Sequence, residues 1–161
     1  MLYGSELGQV TAIRREFSLA ELVALVPALP EPAAPVVRCI GRSEGSAKWI
    51  KERAEGAEYG HIEIAISEAE EFSIVLAHDW PAEVGADDVA DLDRALTKGL
   101  VEGFAASFWL PSLGCRVHTI RVGHKAGTTP TVMELVARLA VHHLLTKATW
   151  RLGQAQSPEV A

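Results

Sequence analysis

A chain of 161 residues that is 48% hydrophobic and 22% charged can bury one full core but is too short for two comfortable ones. Its net charge of -6 and pI near 5.5 argue against broad phosphate-backbone binding, which needs a surplus of Lys and Arg to release counterions, so any nucleic-acid contact must be local. Apolar stretches break well before the ~20 residues of a membrane span, no export-signal pattern is visible, and Cys39 and Cys115 are the only cysteines; the expectation is a cytoplasmic protein with reduced thiols and no membrane partner.

Residues 1–34 read as an N-terminal arm. "LGQVTAI" alternates as a short strand, Ser18 and Glu21 form a capping box ahead of "LAELVALV", and that helix should end at Pro27. Four of the eight prolines fall in "PALPEPAAP", where fixed φ and missing N–H groups favour an extended connector. The main domain is expected over 35–150. Strands are predicted at about 36–41, 47–53, 59–66 and 72–77, the third marked by His61, Glu63 and Ala65 alternating with Ile62, Ile64 and Ile66. In "GADDVADLDRALTKGLVEGF", Val89, Leu92, Leu96, Leu100 and Phe104 recur at helical spacing, with Asp87, Asp88 and Asp91 near the positive end of the dipole. A loop with Trp109 and Pro111 leads to the strand "CRVHTIRV". Thr129 as N-cap and Pro130 as N1 then open a helix to about Lys147, with an apolar stripe of Val132, Leu135, Val136, Leu139, Ala140 and Leu144. Residues 151–161 are expected as a flexible tail. The fold class is α+β, helices layered on one face of a four- to five-stranded sheet.

"KWIKERAEGAEYGHIEI" resembles, without a gap, the entry to the fourth domain of the elongation factor G family, where a strand, a Gly-rich tip and a Tyr-Gly-His-aliphatic strand follow one another. "DLDRALTKGLVEG" is similar to that domain's first helix, and "RVHTIRVGHKAGTTPTVMELVARLAVHHLLTKA" to its last strand, second loop and last helix, so the resemblance covers roughly residues 36–148. It implies a two-layer α+β sandwich with a left-handed βαβ crossover, a hand opposite to the usual one. It also implies a non-enzymatic role, because in that family this domain imitates the anticodon arm of a transfer RNA and reaches the ribosomal decoding region. The nucleotide chemistry lies in a separate GTPase domain, and no G-x-x-x-x-G-K-[ST] occurs in this chain. The tips depart from the family pattern. Arg53-Ala54-Glu55-Gly56-Ala57 stands where the family has Ser-Gly-Gly-Arg-Gly, which makes the tip less permissive to close backbone approach. In the second loop Val122-Gly123-His124-Lys125-Ala126 replaces Asp-Gly-Ser-Tyr-His, so the family's tip histidine falls on Ala126. The nucleic-acid-binding residues that the resemblance and the remaining local basicity imply are Lys48, Lys51, Arg53, Gly56, Tyr59, His61, Gly123, His124 and Lys125.

Rival motifs have simpler structural readings. "GRSEG" at 41–45 matches G-x-S-x-G, with Asp79 and His118 or His124 as nominal partners, but a nucleophile elbow needs Ser43 on a strand-to-helix turn, and the next segment reads as strand. His61-Ile62-Glu63 matches the H-x-E of zinc deaminases without the downstream P-C-x-x-C, and Cys115 and His118 alternate to opposite faces. His142 reads as solvated and His143 as hydrogen-bonded; Trp49, Trp80, Trp109 and Trp150 read as core or rim packing rather than base-stacking platforms. No catalytic residue, metal or cofactor is expected. The functional expectation is an RNA- or ribosome-binding relative of that fourth domain. The alternative is a protein-interaction module that has lost RNA contact and self-associates through the N-terminal arm.

Overall fold

The computed structural model describes residues 10–26 and 36–153. The chain begins with β1 (Val10–Ala12), β2 (Arg15–Phe17) and the five-residue α1 (Leu19–Val23). The Ser18–Glu21 capping box is formed from both sides, Glu21 Oε1 accepting from the Ser18 backbone N–H at 3.0 Å. After β3 (Val37–Cys39) come the long hairpin strands β4 (Ser43–Arg53) and β5 (Gly56–Ser67), then β6 (Ser73–Leu76) and β7 (Asp79–Pro81). The helix α2 (Ala86–Ala105) follows, then a 3₁₀ turn at Leu110–Ser112, β8 (Leu113–Gly114), β9 (Arg116–Gly123), α3 (Pro130–Leu145) and β10 (Trp150–Leu152).

The fold is α+β. The main sheet has five strands in the order β2-β6-β9-β5-β4. β6 and β9 pair in parallel, so the chain from β6 through α2 to β9 is a βαβ unit, while every other pairing in this sheet is antiparallel. α3 lies across β4 and β5, and α2 packs beside α3, which makes the two helices the second layer. The strand alternation carries the layering: Ile62, Ile64 and Ile66 of β5 are fully buried beneath the helices together with Ile74 of β6 and Val117 of β9. Gly60 and Gly45 let α3 settle onto the sheet, because a Cβ at Gly60 would meet Val132 and one at Gly45 would meet Leu144.

Several boundaries differ from the sequence reading. The strand expected at 36–41 is three residues long and joins a separate sheet, β10-β3-β8, rather than the main one; Gly41, at φ +70°, turns the chain away before the hairpin begins. The place beside β6 is taken by β2, from the segment expected as an N-terminal arm, and β1 pairs with β7. Leu22 is fully buried and Phe17 and Leu19 pack on the same core, so residues 10–26 belong to one body with the main domain. Arg151 and Leu152, expected in the tail, pair with Arg38 and Val37. The rest of that tail and most of the Pro-rich connector lie outside the described residues. Thr129 and Pro130 open α3 as expected, the Thr129 hydroxyl accepting from the Val132 N–H. Its buried arc is rotated, however: Met133, Ala137 and Val141 are fully buried, whereas Leu139 is 38% exposed. Ala137 and Val141 face α2, where a Cβ at Gly99 or Gly103 would meet them, so contact with the second helix turns the buried arc away from Leu139.

Candidate nucleic-acid interface

Two loops meet at one end of the main sheet. One is the β4–β5 turn, which closes at Gly56 with φ +129°. The other, residues 124–129, joins β9 to α3. The Tyr59 N–H donates to the Gly127 carbonyl at 3.2 Å. Gly127 has φ +98°, and a Cβ there would run into the Ala57 carbonyl oxygen, so this position needs glycine for both backbone angle and space. The two loops therefore lie side by side at this end of the sheet.

Because Gly60 points at α3, its neighbours Tyr59 and His61 point to the open face of the sheet. They lie beside Gly123, where a Cβ would stand 2.9 Å from Tyr59 Oη and 3.0 Å from His61 Cβ. Lys48, cross-strand from His61, places its Nζ 5.9 Å from the Tyr59 ring centroid, and Lys125 places its Nζ 4.8 Å away. Both distances lie within cation–π range. The outcome is a buried tyrosine with two exposed ammonium groups over it, from different elements. His61 Nε2 stands 3.5 Å from Glu63 Oε2, which draws it along the strand and away from the lysines.

The other expected contacts separate. Lys51 shares the helix-side register of β4 with Trp49 and lies opposite Glu58, so it faces away from Lys48. Arg53 pairs with Gly56, but its side chain is outside the described residues. His124 is half-buried and meets Trp80 edge-on at 6.2 Å, on the opposite side of β9 from Gly123. Glu52 and Glu55 are exposed at the same tip and weaken its positive field.

The rival motifs resolve structurally. Ser43 opens a strand that runs unbroken to Arg53, so the strand-to-helix turn of a nucleophile elbow does not exist there. Cys115 is fully buried; burial first, then Cys39, push its thiol well above the ordinary 9.0, away from the thiolate that a metal or a nucleophilic role would need. No grouping of three metal-ligating side chains occurs among the described residues. His143 Nδ1 lies 3.0 Å from the Ser46 carbonyl oxygen and 3.2 Å from the Ser46 nitrogen, and His142 is exposed. Trp49 packs on the core rim and donates from Nε1 to Glu58; Trp80 is fully buried, and Trp150 tilts against Phe108 at 4.9 Å.

One polar constellation escaped the sequence reading. Asp93 Oδ1 accepts from His78 Nε2 at 2.7 Å and from Trp80 Nε1 at 2.9 Å. His78 Nδ1 lies 2.7 Å from Thr119 Oγ1, which accepts from the Ala77 N–H at 2.7 Å. The Asp-His-Thr order has the outline of a nucleophile triad, yet Thr119 is 2% exposed and His78 is 2% exposed, so no substrate carbonyl can reach the hydroxyl. The network ties the β6–β7 corner to β9 and α2. Its sequence signal was an acid and a threonine, Asp93 and Thr97, falling inside the apolar stripe of α2.

No protein-family model matches the chain, and no curated protein matches it. In structure it is similar to a protein from Thermus thermophilus, with a TM-score of 0.58 at 16% identity, over 76% of this chain and 18% of that one. This likeness is one of fold, and the chain spans less than a fifth of that protein's length.

Proposed function

We propose that this chain is a non-enzymatic protein, similar to the fourth domain of elongation factor G, that binds structured RNA or the ribosome through its sheet-end tip. The observation that carries this reading is the convergence of Lys48 and Lys125 on the Tyr59 ring where the two loops meet. Two ammonium groups held by one ring are a ready phosphate contact, and the open sheet face beside them leaves room for a backbone to pass. At net -6 the whole molecule repels a polyanion at long range, so affinity rests on these few short-range groups.

The test is fluorescence anisotropy of a labelled ribosomal RNA hairpin over a series of salt concentrations. Each phosphate contact contributes roughly 0.7–0.9 to the log–log salt slope, so Lys48→Ala with Lys125→Ala should lower it by about 1.5 and weaken all sequences alike. Lys51→Ala, on the other side of β4, should change it far less. Absence of binding at low salt rejects the RNA reading.

A second reading, a protein-interaction module, is favoured by one observation: β4 is an edge strand of eleven residues with Ile50 61% exposed on the open face. Such an edge accepts an added strand. The described part of the N-terminal segment is already paired within the chain, so this reading rests on β4. Ile50→Lys would abolish such pairing while leaving RNA affinity unchanged or raised.

A further inference from the structure

A cavity of about 820 Å³ opens between the N-terminal segment and α2, within the ~300–1,000 Å³ usual for small-molecule sites. Its body is apolar: Ile13, Phe17, Leu25, Leu76 and Val89 line it, and Leu25 is 43% exposed, an apolar surface left facing the opening. Its charged groups run against the sign of the molecule. Arg14, Arg15, Arg94 and Lys98 line it against a single acid, Asp93, in a chain of net charge -6. Asp93 is already engaged through Oδ1 by His78 and Trp80. The Arg15 guanidinium lies 4.2 Å over the Phe17 ring, which places positive charge directly on the apolar wall. Two of the cationic heads at the mouth have exposed acidic partners, Arg14 with Asp79 at 3.6 Å and Arg94 with Asp91 at 2.9 Å, while Lys98 reaches the half-buried Glu134 at 3.7 Å and Glu102 at 4.0 Å. The two surface pairs are weak, and an incoming anion competes with them readily.

We infer that this cavity binds a free amphipathic carboxylate of the fatty-acid type, its chain on the Ile13–Phe17–Val89 wall and its head group among Arg14, Arg94 and Lys98. Concavity favours a monomeric ligand over a membrane surface, and the charge balance selects an anion over an amine. The site is independent of the sheet-end tip.

Isothermal titration calorimetry of the full chain with dodecanoate below its micelle concentration tests the proposal. A single saturable site is expected, with dodecylamine binding at least about tenfold more weakly, because four of the five charged side chains that line the cavity are cations and the fifth, Asp93, is already hydrogen-bonded. Ala90 is exposed on α2 and lines the cavity; Ala90→Trp should obstruct it and weaken dodecanoate binding by about tenfold or more. Arg94→Glu with Lys98→Glu, both on the surface, should do the same without filling the cavity, and thermal melts of both variants check that the fold persists. Equal affinity for the amine, indifference to both variants, or no saturable binding would overturn the assignment. So would co-sedimentation with phosphatidylglycerol vesicles in place of dodecanoate binding.

Discussion

Gly127 holds the two tip loops together at the level of a single atom, since its missing Cβ is what allows the Ala57 carbonyl to lie against it. Gly127→Ala adds left-handed strain and a backbone collision together. A loss of about 1–3 kcal/mol is expected in urea unfolding, with faster amide exchange at Tyr59, whose N–H donates to the Gly127 carbonyl. If the RNA reading holds, the same variant should weaken binding although it removes no charge. A second prediction concerns His118, which stands on the open face with Nε2 3.3 Å from Ser67 Oγ. Burial first, then Arg116 and Arg42, hold its pKa below the ordinary 6.5, with Glu16 opposing them. The folded protein therefore binds this proton less tightly than the unfolded chain. The stability that this contributes is present above pH 6.5 and is lost as pH falls below that value through the folded pKa. Its NMR titration should have a midpoint below 6.5 that rises in Arg42→Ala, and the decline in urea midpoint on acidification should be shallower in His118→Gln. A wild-type midpoint at or above 6.5 would contradict this account.

Among the elements, α2 is fixed by polar as well as apolar contacts. Asp93→Ala leaves two buried donors, His78 Nε2 and Trp80 Nε1, without their acceptor. Each orphaned buried group costs about 1–3 kcal/mol, so urea unfolding should show a loss of several kcal/mol together with altered Trp80 fluorescence. A change below about 1 kcal/mol would mean that water replaces the carboxylate. This element also marks how far the sequence could be read. The β4–β5 hairpin, α2 and the start of α3 were legible because period-2 alternation, helical spacing and caps are local signals. The Asp93–His78–Thr119 network was not, since its members lie far apart in the chain and only folding brings them together. The same limit split the basic cluster: Lys48, Lys51 and Lys125 looked equivalent as letters, but strand parity sent Lys51 to the far side of β4 and the β9 turn sent His124 onto Trp80. The position of β3 was not legible for a related reason, because a short apolar run does not say which of two sheets it will join.

At the scale of the molecule, residues 10–26 decide whether the main sheet is complete. β2 covers the outer edge of β6, β1 covers β7, and the fully buried Leu22 with Phe17, Leu19 and Val23 closes the core on that side. Fully burying one Leu is worth about 1.5–3 kcal/mol, and a single domain is stable by only about 5–15 kcal/mol in all. Removing one fully and several partly buried side chains therefore takes a large share of the total. It also bares the β6 edge, an open template for strand addition between molecules. Deleting residues 1–26 is accordingly expected to lower Tm by more than about 10 °C, at the ~2–4 °C per kcal/mol of a chain this size, and to produce concentration-dependent aggregation. The double variant Phe17→Ser with Leu22→Ser, in the full-length chain, separates packing from strand pairing: it should reproduce most of the loss in Tm with less aggregation, because β2 can still cap the sheet. A deletion variant that melts at the wild-type temperature would restore the N-terminal segment to the status of an independent arm, and with it the case for self-association through that arm.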